Sequence, residues 1–308
     1  APTEIYTLSL HDALPISSTD GPLSRETEPG YRELLEADRA NFPTEEQFRH
    51  WKRHFASEVD RGRFIIGTLQ DYLPDLALGD LRILDIGCGD AGVPIAFASA
   101  GARATGLEPG RVNLRRGRVR ADDHRVAVDL LAGVAEALPF ADDSFDLVIL
   151  DNVLEHVRDR AQTLTEIRRA LSPGGILYLV TPKPYALASL LGDPHYHLPG
   201  LVLLPVKWQR WVVEHRLGPG SYDVGRIPTR RWARRALRRH GFEVLVPPRD
   251  LWVRYLRDRI SRPEEVRPGV KRRLAAWLTA HPRFFRNPVI RWLLDVGLGS
   301  NFFLARYR

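Results

Sequence analysis

The sequence predicts an α/β fold in which a mainly parallel, seven-stranded sheet carries helices on both faces. Short apolar runs alternate with helix-like segments from Arg82 onward, and a glycine turn follows the first run. The chain has 308 residues, of which 44% are hydrophobic, enough for one large α/β domain with an appended element. The last segment, Asn301 to Tyr307, reads as a closing antiparallel strand, which gives the strand order 3-2-1-4-5-7-6.

The first strand and its turn organise the rest of the chain. Residues 83–86 are apolar enough for a buried parallel strand, apart from one carboxylate. Gly87 and Gly89, on either side of Cys88, let the backbone turn sharply and approach a ligand without a Cβ. A helix expected over 93–100 then directs its N-terminal amides at the same place.

Two acidic residues indicate what this turn binds. Glu108 ends the second expected strand, 104–107, where a carboxylate can accept hydrogen bonds from both hydroxyls of a ribose. Asp85, two residues before Gly87, suits a ligand with a cationic amino-acid end and is unfavourable beside a pyrophosphate. The glycine spacing, completed by Gly92, also satisfies the G-x-G-x-x-G pattern of dinucleotide sites, so a nicotinamide cofactor stays open.

The remaining elements continue the same alternation. Apolar inward positions 232, 233, 236 and 237 are expected in the helix after Thr229, with six arginines facing outward. The other expected elements are a helix over 111–121, strands over 126–131 and 145–150, a helix over 160–171 stopped by 172–175, and strands over 176–181 and 242–246.

Three ordered segments carry a family resemblance. They are ILDIGCGDAG with the following ATGLEPG, VAEALPFADDSFDLVILDNVLEHV, and IRRALSPGGILYLVTP. Together they resemble the class I S-adenosylmethionine-dependent methyltransferases, whose first motif has the form D-x-G-x-G. The resemblance implies a Rossmann-like sheet, S-adenosylmethionine as cofactor, and in-line methyl transfer to a small-molecule or lipid-linked acceptor, at oxygen. It also implies the cofactor-binding residues: Asp85, Gly87, Cys88, Gly89, Glu108, Pro109, Val134, Ala135, Asp151, Asn152 and Val153.

Two positions depart from the patterns of that family. Where similar enzymes place an acid beside the adenine, this chain has Val134, so recognition is left to the amide of Ala135. Glu155 and His156 resemble part of a magnesium motif, but its first ligand position is Asn152, and two groups make a poor metal cage. We therefore expect no metal.

The resemblance divides the chain into functional segments. Helices within 31–80 are expected over the cofactor mouth, including one over Pro43 to Arg61, and 81–182 is the cofactor-binding core. We interpret 183–227 as a lid and substrate insertion, and 228–308 as the rest of the sheet with a helical insertion over 248–299. Residues 1–30 are expected to be disordered, and 1–17 resemble a translated sequencing adapter.

The insertion contains the candidate base and a candidate membrane contact. His195 and His197 have the spacing that aims two side chains to one side, and either is a candidate general base for a hydroxyl acceptor. Residues 201–213 mix apolar residues and tryptophans with Lys207 and Arg210, which favours peripheral contact with a membrane surface.

Composition limits the partners. The net charge is +7 and the pI about 9.8, but only four of the 45 basic residues are lysine, which indicates a GC-rich genome, and nucleic acid is not expected. No apolar run reaches the ~18 residues of a membrane span. The single cysteine excludes a disulfide framework and fits a cytoplasmic protein. Two alternatives remain: an NAD(P)-dependent oxidoreductase, and a non-catalytic S-adenosylmethionine-binding protein.

Overall fold

The fold is taken from a computed structural model. It describes residues 28–41, 45, 48, 52, 55, 57–186, 189–190, 192–193, 195–196, 198–222, 224–225, 227–245, 287 and 300–308. Their backbone divides into two compact units. The sheet unit holds the described residues of 20–180, 231–246 and 303–308, and the insertion unit holds those of 181–230, 287 and 300–302.

Seven strands form one sheet in the order β3-β2-β1-β4-β5-β7-β6, which confirms the expected topology. Strands β1 to β5 run parallel, and β7 pairs antiparallel with β6, as the sequence predicts. Their bounds are β1 Arg82–Ile86, β2 Arg103–Glu108, β3 Val128–Ala132, β4 Phe145–Asp151, β5 Leu171–Pro182, β6 Phe242–Val244 and β7 Ser300–Tyr307.

Seven α-helices are present in the described part of the chain, together with 3-10 turns over Asp38–Asn41 and Leu201–Leu203. Their bounds are α1 Pro29–Ala37, α2 Glu58–Tyr72, α3 Gly92–Ser99, α4 Arg111–His124, α5 Arg160–Ala170, α6 Val206–Leu217 and α7 Arg230–Arg239. Of the expected helix over 43–61, only four residues before Ser57 are described, and Glu45, Phe48, Lys52 and Phe55 are helical.

The core of the sheet unit lies where the central strands meet α5 and α7. Leu84 of β1, Val148 of β4 and Leu177 of β5 are all buried in it, and α7 adds Leu237. This is the apolar clustering that near-continuous hydrophobic strands produce in a parallel sheet. The central strands are therefore rigid supports, and groups at their carboxyl ends are held in fixed positions.

Two expectations about local structure are corrected. Trp232 was expected inside, but it is 37% exposed and lies under the guanidinium of Arg160, 5.6 Å from the ring centre. The segment 172–175 was expected only to stop a helix. Instead β5 begins at Leu171, and the register shifts between Phe145 and Leu147 of β4, so this segment is an irregularity within the strand.

The insertion unit has its own small core. Val213 of α6 packs with Leu201 and Tyr222, and the Tyr196 ring stacks on Tyr222 with centroids 5.6 Å apart. The Tyr222 hydroxyl donates a hydrogen bond to Gln209 of α6. Within the described residues, none of the helices combines the length and the apolar character that crossing a bilayer requires. The expected helical insertion over 248–299 and the expected N-terminal segment 1–27 lie outside the described residues, apart from Asn287.

Candidate active site

The glycine turn after β1 is held tightly against β2. The amides of Gly87 and Cys88 both donate to the carbonyl of Leu107, over 2.7 and 3.2 Å. Gly87 has a φ of +71°, and a Cβ there would lie 2.5 Å from Cγ2 of Val153. Only glycine satisfies both the backbone angle and the close contact. The Cys88 side chain is buried, and burial raises the pKa of its thiol well above the usual range.

Glu108 is fixed at the end of β2 by a ring of donors. Its Oε2 accepts from the amide of Gly89 over 3.3 Å, and its Oε1 accepts from the Gly110 amide and the Asn113 side chain over 3.0 Å each. Burial raises the pKa of Glu108, and these three hydrogen bonds oppose the rise. The expected neighbour Pro109 is exposed at the following turn. The carboxylate is therefore oriented beside the glycine turn, as ribose recognition requires.

Asp85 is almost fully buried within β1. Burial raises its pKa well above the usual range; the carboxylates of Asp151, Glu58 and Glu108 add to this, and Arg61 opposes it. Among the described residues, Asp85 Oδ2 has no hydrogen-bond partner. A buried carboxylate oxygen without a donor is costly unless a ligand supplies one. A cationic group bound at this point would meet that need.

Sequence reasoning missed two charged residues of this site, Glu58 and Arg61, which come from the first turn of α2. The Arg61 guanidinium lies 3.7 Å from Oε1 of Glu58 and 3.8 Å from Oδ2 of Asp151. With Asp85 the cluster contains three carboxylates and one guanidinium. The only available signal was three charged residues, Glu58, Asp60 and Arg61, at the end of the expected helix over 43–61 and directly before Gly62.

The end of β4 and the segment after it contribute three of the expected residues. Asn152 has a φ of +56°, a left-handed conformation that asparagine tolerates better than most residues. The side-chain Nδ2 of Asn152 donates to Oδ1 of Asp151 over 3.0 Å. The side-chain Oδ1 of Asn152 is buried with no partner among the described residues. Val153 packs beside Gly87. The structure therefore brings the ends of β1 and β4 together, as expected for adjacent parallel strands.

Val134 and Ala135 follow β3. The preceding amide, that of Gly133, donates to the carbonyl of Glu108 over 3.3 Å, which links this segment to the end of β2. Val134 is 49% exposed, whereas Ala135 is buried in the core of the sheet unit. Leu138, three residues on, donates its amide to Glu166 of α5. Hydrogen bonds thus hold the segment to Glu108 at one end and to Glu166 at the other.

The candidate bases lie in the insertion unit. His195 is buried, and the Asp193 carboxylate accepts backbone hydrogen bonds from His195, Tyr196 and Leu198 over 2.7, 3.0 and 3.4 Å. These bonds form an Asx-type turn that fixes the backbone under the imidazole. His197 lies outside the described residues.

The cluster in the sheet unit fits a ligand with the charges of S-adenosylmethionine. That molecule has a sulfonium, an ammonium and one carboxylate, so it brings a net positive charge to a cluster with an excess of carboxylates. Asp85 and Asn152 offer buried acceptor oxygens, and Arg61 offers a buried Nε without a hydrogen bond among the described residues.

Comparison with known proteins gives the same indication. Residues 84–179 match the family model described as a methyltransferase domain. The chain is 32% identical over 162 residues to a ubiquinone biosynthesis O-methyltransferase of Methylobacterium sp. (strain 4-46), a match that covers 51% of this chain and 64% of that protein. A second protein of the same name, from Maricaulis maris (strain MCS10), is 38% identical over 113 residues, which is 35% of this chain and 44% of the relative.

These matches span less than two thirds of each relative's length. Among solved structures, an S-adenosylmethionine dependent methyltransferase from Mesorhizobium loti has a TM-score of 0.51 at 22% identity, covering 78% of this chain and 96% of that one. At that identity the likeness concerns the fold, and the fold agrees with the strand order described above.

Proposed function

The chain contains a methyltransferase domain of the class I S-adenosylmethionine-dependent family, and from this premise we propose that the protein transfers a methyl group to an oxygen of a small-molecule or lipid-linked acceptor. The observation that carries the proposal is the buried cluster of Asp85, Asp151, Glu58 and Arg61 beside a glycine turn and an oriented Glu108. S-adenosylmethionine is the cofactor.

The acceptor is the finer part of the proposal. The two curated relatives are named for O-methylation in ubiquinone biosynthesis, so we assign this chain a hydroxyl on a quinone-like, lipid-linked ring. The apolar and aromatic surface of the insertion supports an acceptor of this kind, because Leu203, Trp208 and Trp211 are all exposed there.

The mechanism is an in-line displacement. When bound, the cofactor supplies an electrophilic methyl group on a sulfonium. Glu108 would bind the ribose hydroxyls, while Arg61 would pair with the carboxylate and Asp85 with the ammonium of the amino-acid end. The acceptor oxygen would take this methyl group and lose its hydroxyl proton to a base, and the sulfonium would leave as a neutral thioether. Such positioning can supply roughly 7–11 kcal/mol of the barrier.

His195 is the base that we assign. Its backbone is fixed by Asp193, and its ring is buried, so it is held in a defined orientation. A His195→Gln variant should lower kcat by roughly 10²- to 10⁴-fold, the usual contribution of a general base, with the S-adenosylmethionine Kd unchanged. His240→Gln, a matched change at the end of α7, should keep full kcat. A kcat for His195→Gln within threefold of the parent would show that His195 is not the general base.

The function itself is tested with labelled S-adenosylmethionine and a detergent-solubilised phenol with an isoprenoid tail. We expect label in the phenol ether and conversion of the cofactor to its demethylated product. Calorimetry with the same protein separates the alternatives. Binding of NAD in place of S-adenosylmethionine would support an oxidoreductase, and cofactor binding without turnover on a panel of hydroxylated acceptors would support a non-catalytic binder.

We also propose that α6 contacts the membrane surface. Trp208, Trp211 and His215 follow one another at helical spacing on its exposed side, and the His215 ring stacks on Trp211 with centroids 5.4 Å apart. Lys207 lies over the Trp208 ring, 5.9 Å from its centre. Exposed tryptophans next to basic side chains are typical of helices that lie in a bilayer interface.

This contact predicts a spectroscopic change. Vesicles of phosphatidylglycerol should shift the tryptophan emission of the full chain to shorter wavelength. Most of that shift should be lost in Trp208→Ser/Trp211→Ser, because these two rings leave water. The control Tyr185→Ser changes an exposed aromatic residue outside both α6 and α7 and should keep the shift. An equal loss in both variants would refute an assignment to α6.

A further inference from the structure

An array of arginines covers the outer side of α7. Its five members lie at i, i+3, i+4, i+7 and i+8 and are all exposed: Arg231, Arg234, Arg235, Arg238 and Arg239. Within the described residues, none of the five forms a hydrogen bond or an ion pair with an acidic side chain. We call this set the arginine ladder.

The ladder does not stabilise the helix that carries it. Residues three or four apart on a helix are neighbours, so successive members repel one another. Arg231 also lies in the first turn, where the helix dipole disfavours positive charge, and no acidic residue occupies that turn. The opposite side, with Ala233, Ala236 and Leu237, is buried in the core of the sheet unit. The helix would therefore form and pack as well with neutral polar residues outside.

The shape of this surface favours a flat polyanion over a grooved one. The buried contacts of α7 include two alanines, whose short side chains let the helix backbone lie close to the sheet. A helix seated in this way presents a broad face, whereas reading a nucleic-acid duplex requires a helix that protrudes into a groove ~12 Å wide. Trp232, partly exposed beside the ladder, is a side chain suited to the headgroup region of a bilayer.

From these observations we propose that the arginine ladder of α7 binds the anionic headgroups of a phospholipid bilayer. The charge complementarity is direct, since five guanidinium groups without an acidic partner among the described residues would meet a surface of phosphates, and guanidinium groups bind phosphate in bidentate fashion. This surface lies in the sheet unit, and binding there would require neither methyl transfer nor α6.

Co-sedimentation of the full chain with vesicles tests the proposal. We expect binding to vesicles of phosphatidylglycerol and phosphatidylcholine, loss of that binding in salt well above 0.15 M, and no binding to pure phosphatidylcholine. Arg234→Gln/Arg238→Gln should bind roughly 25-fold more weakly, at about fivefold per charge. Its melting temperature should be unchanged or higher, because like-charge repulsion is relieved.

The matched control is Arg115→Gln/Arg125→Gln, which removes two exposed arginines outside α7 and gives the same net charge. It should bind vesicles nearly as the parent does. Equal weakening in both variants would show that net charge and not the ladder is responsible, and would overturn the proposal. So would ladder-dependent binding to a 20-base-pair DNA duplex without binding to vesicles. If the ladder variant binds vesicles fully while Trp208→Ser/Trp211→Ser does not, α6 alone attaches the protein to the bilayer. That result would also overturn the proposal.

Discussion

Replacing Glu108 by glutamine should weaken S-adenosylmethionine binding by roughly 30- to 150-fold, or about 2–3 kcal/mol, since a hydrogen bond to a charged group is worth about 1.5–3 kcal/mol. The amide nitrogen of glutamine cannot accept from a ribose hydroxyl. Glutamine keeps one oxygen to accept from the Gly110 amide and the Asn113 side chain and loses only the 3.3 Å bond from the Gly89 amide, so most of the loss falls on the bound state.

The same change should not weaken the free protein. Burial raises the pKa of Glu108, so the folded state favours its protonated form. A carboxyl whose pKa is raised on folding stabilises the protein fully only at pH values below its unfolded pKa, and this stability is lost as the pH rises through the folded pKa. At pH 7.5 the neutral glutamine escapes this penalty, so the variant without ligand should melt at the same temperature or higher.

Isothermal titration and thermal melting of one preparation measure both quantities. Glu33→Gln, the same chemical change at an exposed position of α1, is the control and should leave both unchanged. If Glu108→Gln lowers the melting temperature of the free protein and leaves the Kd within threefold, Glu108 supports the fold and does not bind the ribose.

The sequence was sufficient to predict the positions of the functional groups that lie on adjacent parallel strands. Asp85, Glu108 and Asp151 belong to adjacent parallel strands, and their relative positions follow from the strand order alone. The glycine turn after β1 was equally predictable, because the need for glycine at position 87 is local. These residues carry most of the candidate cofactor site, which is why a single sequence indicated it.

Arg61 and Glu58 could not be found in this way. They come from a helix ahead of β1, and their approach depends on a contact between α2 and α3. A Cβ on Gly92 would lie 2.3 Å from the Cβ of Glu58. Such a contact pairs residues far apart in the chain, and no periodicity records which helix lies against which. The prediction that Trp232 lies inside was wrong for a related reason. Its spacing matches the buried side of α7, but its ring packs under Arg160 of another helix and stays partly exposed.

Replacing Arg120 by methionine should destabilise the sheet unit by about 3–5 kcal/mol, the usual cost of breaking a buried ion pair from one side. Arg120 is fully buried on α4. It donates to Glu28 over 2.6 Å and to the carbonyl of Phe55 over 3.0 Å, and its guanidinium lies 4.2 Å from the centre of the Tyr31 ring. One side chain thus ties the segment before β1 to α4.

The loss comes from the carboxylate left behind. Burial alone raises the pKa of Glu28, but hydrogen bonds from His124 and Arg120 outweigh burial and hold the pKa below its usual value. Stability from a lowered carboxyl pKa is present above the unfolded pKa and is lost as the pH falls through the folded one. The destabilisation by Arg120→Met should therefore be largest near neutral pH and smaller near pH 4.

Urea denaturation at pH 7.5 and pH 4 measures this difference. Arg115→Met changes an exposed arginine of the same helix and should stay within about 0.5 kcal/mol of the parent. The double variant Glu28→Gln/Arg120→Met should recover part of the loss, because the unpaired charge is gone. A cost for Arg120→Met no larger than that of Arg115→Met would mean that the segment carrying Arg61 is attached by other contacts. In that case the charge cluster of the cofactor site would be independent of α4.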